Sequence, residues 1–223
     1  MRSYSLLVYF VDNDIIIELA SYNLFWDIIG SQKDIRVLPT ASDYITGNAK
    51  LRRKYKQESI KRAKRIASSC RKIDDTLIDQ SEYQSLIAIE KIDAGEALIV
   101  AATRGEPNFY LLTCDKKFLK ALSNSNLIHL KNRLSKRIIC LEQLLINFIN
   151  NSDFDKVRRR IISSDLDNQN VAEAFADGKL TKQEQALKIL DECVEELRSM
   201  TGDLLIDNLP TFTQGQDSDS SIN

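Results

Sequence analysis

Histidine and cysteine are scarce in this chain. His129 is the single histidine, and Cys70, Cys114, Cys140 and Cys193 stand far apart without paired spacing. That pattern argues against a zinc knuckle and against a disulfide framework, and leaves the thiols as buried or incidental groups. His129 lies among apolar residues and reads as structural. No apolar run approaches the roughly 20 residues that a membrane span needs. A secretory signal is lacking too: Arg2 precedes a short apolar run that Asp12, Asn13 and Asp14 interrupt, with no small-residue cleavage site. The expectation is a cytoplasmic protein with no membrane partner. Nor is there an excess of one charge: 31 Lys and Arg against 32 Asp and Glu leave a net charge of −1, so the overall balance says nothing about partners.

What is present is an alternation of strand-like and helix-like segments, in a chain of 223 residues that is long enough for one domain with a real core and an appendage. The run from Leu6 to Val11 is continuously apolar, as buried parallel strands are. Apolar residues from Ile15 to Ile29 then recur at helical spacing, with a break expected near Asn23 and an end at Gly30. Ile35 to Leu38 reads as a second strand stopped by Pro39, Phe109 to Thr113 as a third and Arg137 to Cys140 as a fourth. Between them, helices are expected over 74–79, 82–92, 97–103, 116–122 and 141–149. This order implies an α/β fold, a three-layer α/β/α domain with a central, mostly parallel sheet over residues 1–150. Residues 151–210 read as a helical extension, with capping boxes at Thr181 to Glu184 and at Asn170 to Glu173. The tail over 211–223 is polar, has no apolar anchors and is expected to be disordered.

Acids stand where strands end. Asp12, Asn13 and Asp14 follow the first strand, Asp115 follows the third, and Glu96 opens the apolar helix between them. In a parallel sheet such positions share one edge, the edge at which open α/β folds bind ligands. Carboxylates about 4 Å apart repel by about 1 to 4 kcal/mol per pair, so a cluster of them calls for a cation, and oxygen donors favour Mg²⁺ or Mn²⁺. Helix capping is the alternative role for Asp12, Asp14 and Asp115, while Asp93 with Glu96 fits a capping box in which Asp93 is the cap.

These residues resemble the PIN domain, a family of metal-dependent ribonucleases. Val11-Asp12-Asn13-Asp14-Ile15-Ile16 is similar to its first motif, with Asp14 in place of Asn. Asp93-Ala94-Gly95-Glu96 and the alanine-rich helix after it resemble the third motif, and Leu111-Leu112-Thr113-Cys114-Asp115-Lys116 the fourth. The likeness covers roughly residues 6 to 145. It implies that Asp12, Glu96 and Asp115 are catalytic and hold Mg²⁺ or Mn²⁺. By the same resemblance Asp14 assists them, Thr113 and Asn13 position substrate, and metal-activated water cuts RNA. The family's second acid, usually a Glu in the helix after strand two, has no clear match; Asp43 is nearest. The family often forms homodimers, and some members are toxins paired with a protein inhibitor while others process RNA.

From Lys50 to Lys72 the chain is densely basic, with Glu58 as the only acid, and a thin apolar stripe of Ile60, Ala63, Ile66 and Ala67 implies an amphipathic helix. Arg52, Arg53, Lys54, Lys61, Arg62, Lys64 and Arg65 would attract a phosphate backbone, single-stranded RNA above all, with Tyr55 available to stack on a base. The bland alternative is a solvated helix balanced by the acids of 74–90. Two other functions fit the same residues. One is a catalytically inactive PIN-like module that binds RNA or a protein. The other is a phosphatase resembling the haloacid-dehalogenase family, with Asp12 as nucleophile and Asp14 as general acid.

Overall fold

The computed structural model describes residues 7–31 and 33–210; Leu6, where the first strand was expected to start, and the tail over 211–223 lie outside the described residues. Five strands, β1 (Val8–Val11), β2 (Asp34–Val37), β3 (Arg71–Lys72), β4 (Phe109–Leu112) and β5 (Ile138–Ile139), form one sheet in the order β3-β2-β1-β4-β5. Every pairing in it is parallel. β1 occupies the centre, and its four residues are all buried, as its unbroken apolar run requires.

Helices α1 (Asn13–Ser21) and α2 (Phe25–Ile29) join β1 to β2, and α3 (Ala41–Gly47), α4 (Ala49–Lys54) and α5 (Gln57–Ser69) join β2 to β3. α6 (Gln80–Ile87) and α7 (Ala94–Ala102) lead to β4, and α8 (Lys116–Asn124) and α9 (Ile128–Leu134) lead to β5. After β5 come α10 (Leu141–Asn150), α11 (Phe154–Ile162), α12 (Gln169–Ala174) and α13 (Gln183–Thr201). α1 packs on α3 and α5, whereas α6 packs on α7. Right-handed crossovers place α1–α5 and α6–α9 on opposite faces of such a sheet, so the topology is consistent with three layers.

The break expected near Asn23 is present: Asn23 has φ +56°, and Gly30, with φ +84°, ends α2 in a conformation that glycine adopts without strain. The basic stretch is two helices and a strand instead of one helix. Tyr55 and Lys56 are extended between α4 and α5, and Arg71–Lys72 adds β3 at the sheet edge. A 3₁₀ turn at Asp75–Leu77 replaces the helix expected over 74–79. Neither expected capping box after residue 150 forms. Asn168 caps α12 through the Val171 N–H, and α13 begins after Lys182 without a side-chain cap. The Thr181 hydroxyl is buried without a hydrogen-bond partner among the described residues.

The helices after residue 150 share the domain's core. α13 packs against α8, α10 and α12, and Val157, Ile161, Leu190 and Leu197 belong to the same apolar cluster as β1 and β4. Beyond α13, Leu205 bridges Ile138 in parallel, and the Gln143 side-chain amide donates to the Ile206 carbonyl at 2.8 Å. No described helix is long and apolar enough to cross a membrane.

Strand order places the site. The chain steps from β1 out to β3 on one side, then returns to β4 and β5 on the other. β1 and β4 are therefore neighbours at the point where the direction reverses, where open sheets form a crevice beyond the carboxyl ends of their strands.

Candidate functional site

Asp12 leaves β1 at this crevice. Its N–H donates to the Leu112 carbonyl at 3.0 Å, which ties the strand end to β4. One carboxylate oxygen accepts the Asn13 N–H at 2.7 Å and caps α1, and the other accepts the Thr113 hydroxyl at 3.2 Å. Thr113, itself buried, accepts the Asp115 N–H at 3.2 Å, and Asp115 caps α8 by accepting the Lys117 and Phe118 N–H groups at 2.7 and 2.8 Å. One hydroxyl thus links the acids of two adjacent strands. On α7, Asp93 and Glu96 form a reciprocal capping box with both bonds at 2.8 Å. Asp12 and Asp115 are thus helix caps as well as strand-end residues, and Glu96 is the reciprocal partner of a cap, whereas Asp14 lies within the first turn of α1.

The carboxylates also feel one another. Burial, with the charges of Asp14 and Asp93 adding to it against the hydrogen bonds from Asn13 and Thr113, pushes the Asp12 carboxyl up to about 7. Glu96 is pushed up to about 8, chiefly by burial, with Asp93, Asp115 and Asp12 adding to the rise. Asp14 is raised by burial and then by Asp115 and Asp93, and Lys54 offsets part of that. The structure therefore brings Asp12, Asp14, Glu96 and Asp115 into one electrostatic group, and adds Asp93 to it.

A cleft of about 410 Å³ opens beside these acids and contains Asp14 and Asp115. Three more acids line it that the sequence did not mark: Glu18, Glu142 and Asp167. Glu18 lies one helical turn after Asp14 on the same face of α1, a spacing that could have flagged it. It is buried, accepts the hydroxyls of Tyr22 and Tyr55 at 2.6 and 2.8 Å, and is pushed up to about 7, mainly by burial. Glu142 sits in the first turn after β5, the same relation to a strand end that singled out Asp12 and Asp115, and accepts the Asn170 amide. Asp167 comes from the segment before α12, which carries no sequence signal for a site. It pairs with Lys54 at 3.0 Å and accepts the Tyr55 hydroxyl at 3.3 Å.

The remaining expected residues divide. Asp43 is exposed on α3 and its charge bears on Lys72; it is not among the charges that act most strongly on Asp12, Asp14 or Glu96. The neighbouring Tyr44, though exposed, does feel the acids, its hydroxyl pKa raised by partial burial and then by the charge of Asp14. Asn13 is buried at the turn between Asp12 and Asp14, with its side-chain oxygen lacking a hydrogen-bond partner among the described residues. Among the basic residues, Arg52, Arg53, Lys61 and Lys64 are exposed and form no ion pair with a described residue. Lys54 is held by Asp167, Arg65 by Glu58 at 3.3 Å, and Arg62 donates to the Ala20 and Ser21 carbonyls at the end of α1. Tyr55 is not a free stacking platform: it is buried, with its hydroxyl between Glu18 and Asp167. Asp165, not an acid of 74–90, balances the start of α5, accepting the Lys56 N–H at 2.9 Å and the Ser59 hydroxyl at 2.8 Å. His129 is exposed near Glu82 instead of lying in an apolar setting. All four cysteines are free, and burial beside Asp14 and Asp12 keeps the Cys114 thiol well above its ordinary range, protonated and a poor nucleophile.

Apart from the protonated Cys114 thiol, the donors at the crevice are oxygens, which suits Mg²⁺ or Mn²⁺, and the Asn13 oxygen, without a hydrogen-bond partner among the described residues, adds a neutral donor next to two acids. No group of three or more His, Cys, Asp or Glu side chains among the described residues is already drawn together in a metal-holding arrangement. No protein-family model, no curated protein and no solved structure matches this chain.

Proposed function

We propose that this chain is a PIN-like endoribonuclease that hydrolyses RNA phosphodiesters with Mg²⁺ or Mn²⁺. The observation that supports it is the group of mutually repelling carboxylates at the switch point of the sheet, taken largely out of water; Asp12, Asp14, Glu96 and Asp115 form no ion pair with a described residue. Lys54, whose charge reaches Asp14, is already engaged by Asp167. Carboxyl groups pushed up to about 7 and 8 in this way are under-compensated, a state expected where an external cation completes the site.

Asp12, Glu96 and Asp115 would hold the ion, with Asp14 beside them. Bound there, Mg²⁺ or Mn²⁺ supplies neutralising charge and makes water a better nucleophile at neutral pH. The protein's own residues do the rest. Thr113 fixes Asp12 and Asp115 relative to each other through its one hydroxyl. Lys116 and Lys117 line the cleft and attract the phosphate, and Arg52, Arg53, Lys61 and Lys64 extend that attraction along the strand. Asp12→Asn and Asp115→Asn are expected to abolish Mn²⁺-dependent cleavage of single-stranded RNA while the fold survives. Cleavage that persists unchanged in both variants overturns the assignment.

An inactive module of the same fold is the alternative, favoured by one observation: Asp12, Glu96 and Asp115 all have a capping role that accounts for their presence without any metal. It predicts no Mn²⁺ binding and no cleavage by the wild-type chain, with RNA or protein binding retained.

A further inference from the structure

A second groove, of about 990 Å³, lies between the end of α6 and α8. Lys91, Lys117 and Lys120 line it against a single acid, Glu90. The three lysines are exposed and form no ion pair with any described residue, so their charge is available to a ligand. The floor is partly apolar, from Ile89, Ala121 and Leu127, and Asn124 and Asn126 bring side-chain amides to the rim. Lys91 holds φ +72°, a left-handed backbone that a lysine adopts only at a cost.

Two shared residues connect this groove to the rest of the surface. Lys117 lines both it and the acid cleft. On the other flank Tyr55 is common to the acid cleft and to a groove of about 460 Å³ that carries Arg52, Lys61 and Lys64. α4 and α5 follow β2 and α8 follows β4, so the two cationic grooves approach the acids from the two sides of β1. Free cations for phosphate, apolar surface for a base and amides for base edges are the combination that holds an unpaired nucleic-acid strand. Carboxylates in the middle of such a path repel phosphate, so the flanks must supply the attraction.

We infer that the groove of Lys91, Lys117 and Lys120 is a second binding site for single-stranded RNA, and that one strand runs from the α4–α5 groove across the acid cleft into it. This deepens the nuclease assignment and rests on it for the meaning of the central cleft, but the groove is tested by binding alone. The full chain without metal is titrated with a fluorescent 16-nucleotide oligouridylate across a range of salt concentrations, and anisotropy is recorded. Lys91→Glu combined with Lys120→Glu should weaken binding by about tenfold or more and lower the slope of log K against log salt by about 1.4, the value for two lost phosphate contacts on a single strand. The pair Lys91→Gln with Lys120→Gln, which introduces no repulsion, should give the same change in slope with a smaller loss of affinity. Unchanged affinity and slope in both pairs, or no RNA binding by the wild-type chain, overturns the groove. Intact Mn²⁺-dependent cleavage alongside unchanged binding would remove the groove and leave the nuclease standing; the expected loss of binding in a chain that cleaves nothing would do the reverse.

Discussion

Glu82 and Asp12 are both carboxylates held largely away from water, and the protein treats them in opposite ways. Glu82, buried on α6, receives Arg133 through two bonds at 2.7 and 2.6 Å and Arg104 at 3.1 Å. Its negative charge is more than matched. Arg36 repeats the pattern in β2, where Asp34 and Glu106 flank a buried guanidinium. Asp12 has hydrogen bonds from one backbone N–H and one hydroxyl, and its strongest charged neighbours are acids. The contrast teaches which buried charges are structural. A paired ion holds elements together, whereas a set of unmatched acids is a standing cost that a bound cation would relieve.

Breaking the matched side should give the largest effect. Arg133→Met leaves Glu82 with Arg104 as its one close guanidinium and His129 farther off at 3.9 Å, and is expected to cost about 3 kcal/mol of stability by urea unfolding, because an under-compensated buried charge remains. A loss below about 1 kcal/mol would mean that Arg104 suffices and that the two regions differ less than their geometry implies. Asp12→Asn should move stability the other way. Removing one charge from the repelling group is expected to raise the melting temperature of the metal-free protein at pH 8 by a few degrees.

The same comparison predicts a pH dependence. Asp12, Glu18 and Glu96 are raised to about 7, 7 and 8, above the carboxylate range near 4, so the native protein retains protons that the unfolded chain has already released. Their contribution therefore favours folding at low pH and declines as pH rises from about 4 through 7 to 8. The metal-free melting temperature should fall across that window, less steeply in Asp12→Asn or Glu96→Gln. A flat or rising profile common to all three proteins would contradict the assigned fields. The smallest change is expected from Tyr55→Phe, which removes the hydroxyl shared by Glu18 and Asp167 while Tyr22 still serves Glu18. It should cost about 1 kcal/mol in the same unfolding experiment.

Much of this was legible in the sequence, for identifiable reasons. β1 is a run of β-branched and aromatic residues, β4 one of aromatic residues and leucine, and β2 alternates Ile35 and Val37 with charged residues, while the acids after β1 and β4 are fixed to the sheet edge by sequence order alone. β3 was not legible: it is two charged residues, Arg71 and Lys72, with no alternation to distinguish them from the helix before them. The break between α4 and α5 was hidden as well. It depends on Tyr55 turning inward to Glu18 and on Asp165 accepting the Lys56 N–H, partners more than a hundred residues apart in the second case. Asp167 enters the site the same way. Expected capping boxes at 170 and 181 failed because a four-residue pattern says which caps are available and not where tertiary packing starts the helix.

The most direct test of the central claim is calorimetric titration of Mn²⁺ into the metal-free, full-length chain at neutral pH, for wild type and for Asp12→Asn. Saturable binding by the wild type, lost in the variant and accompanied by a rise in melting temperature only where binding occurs, is the expected result. Absence of binding by the wild type, or equal binding by both, would contradict it.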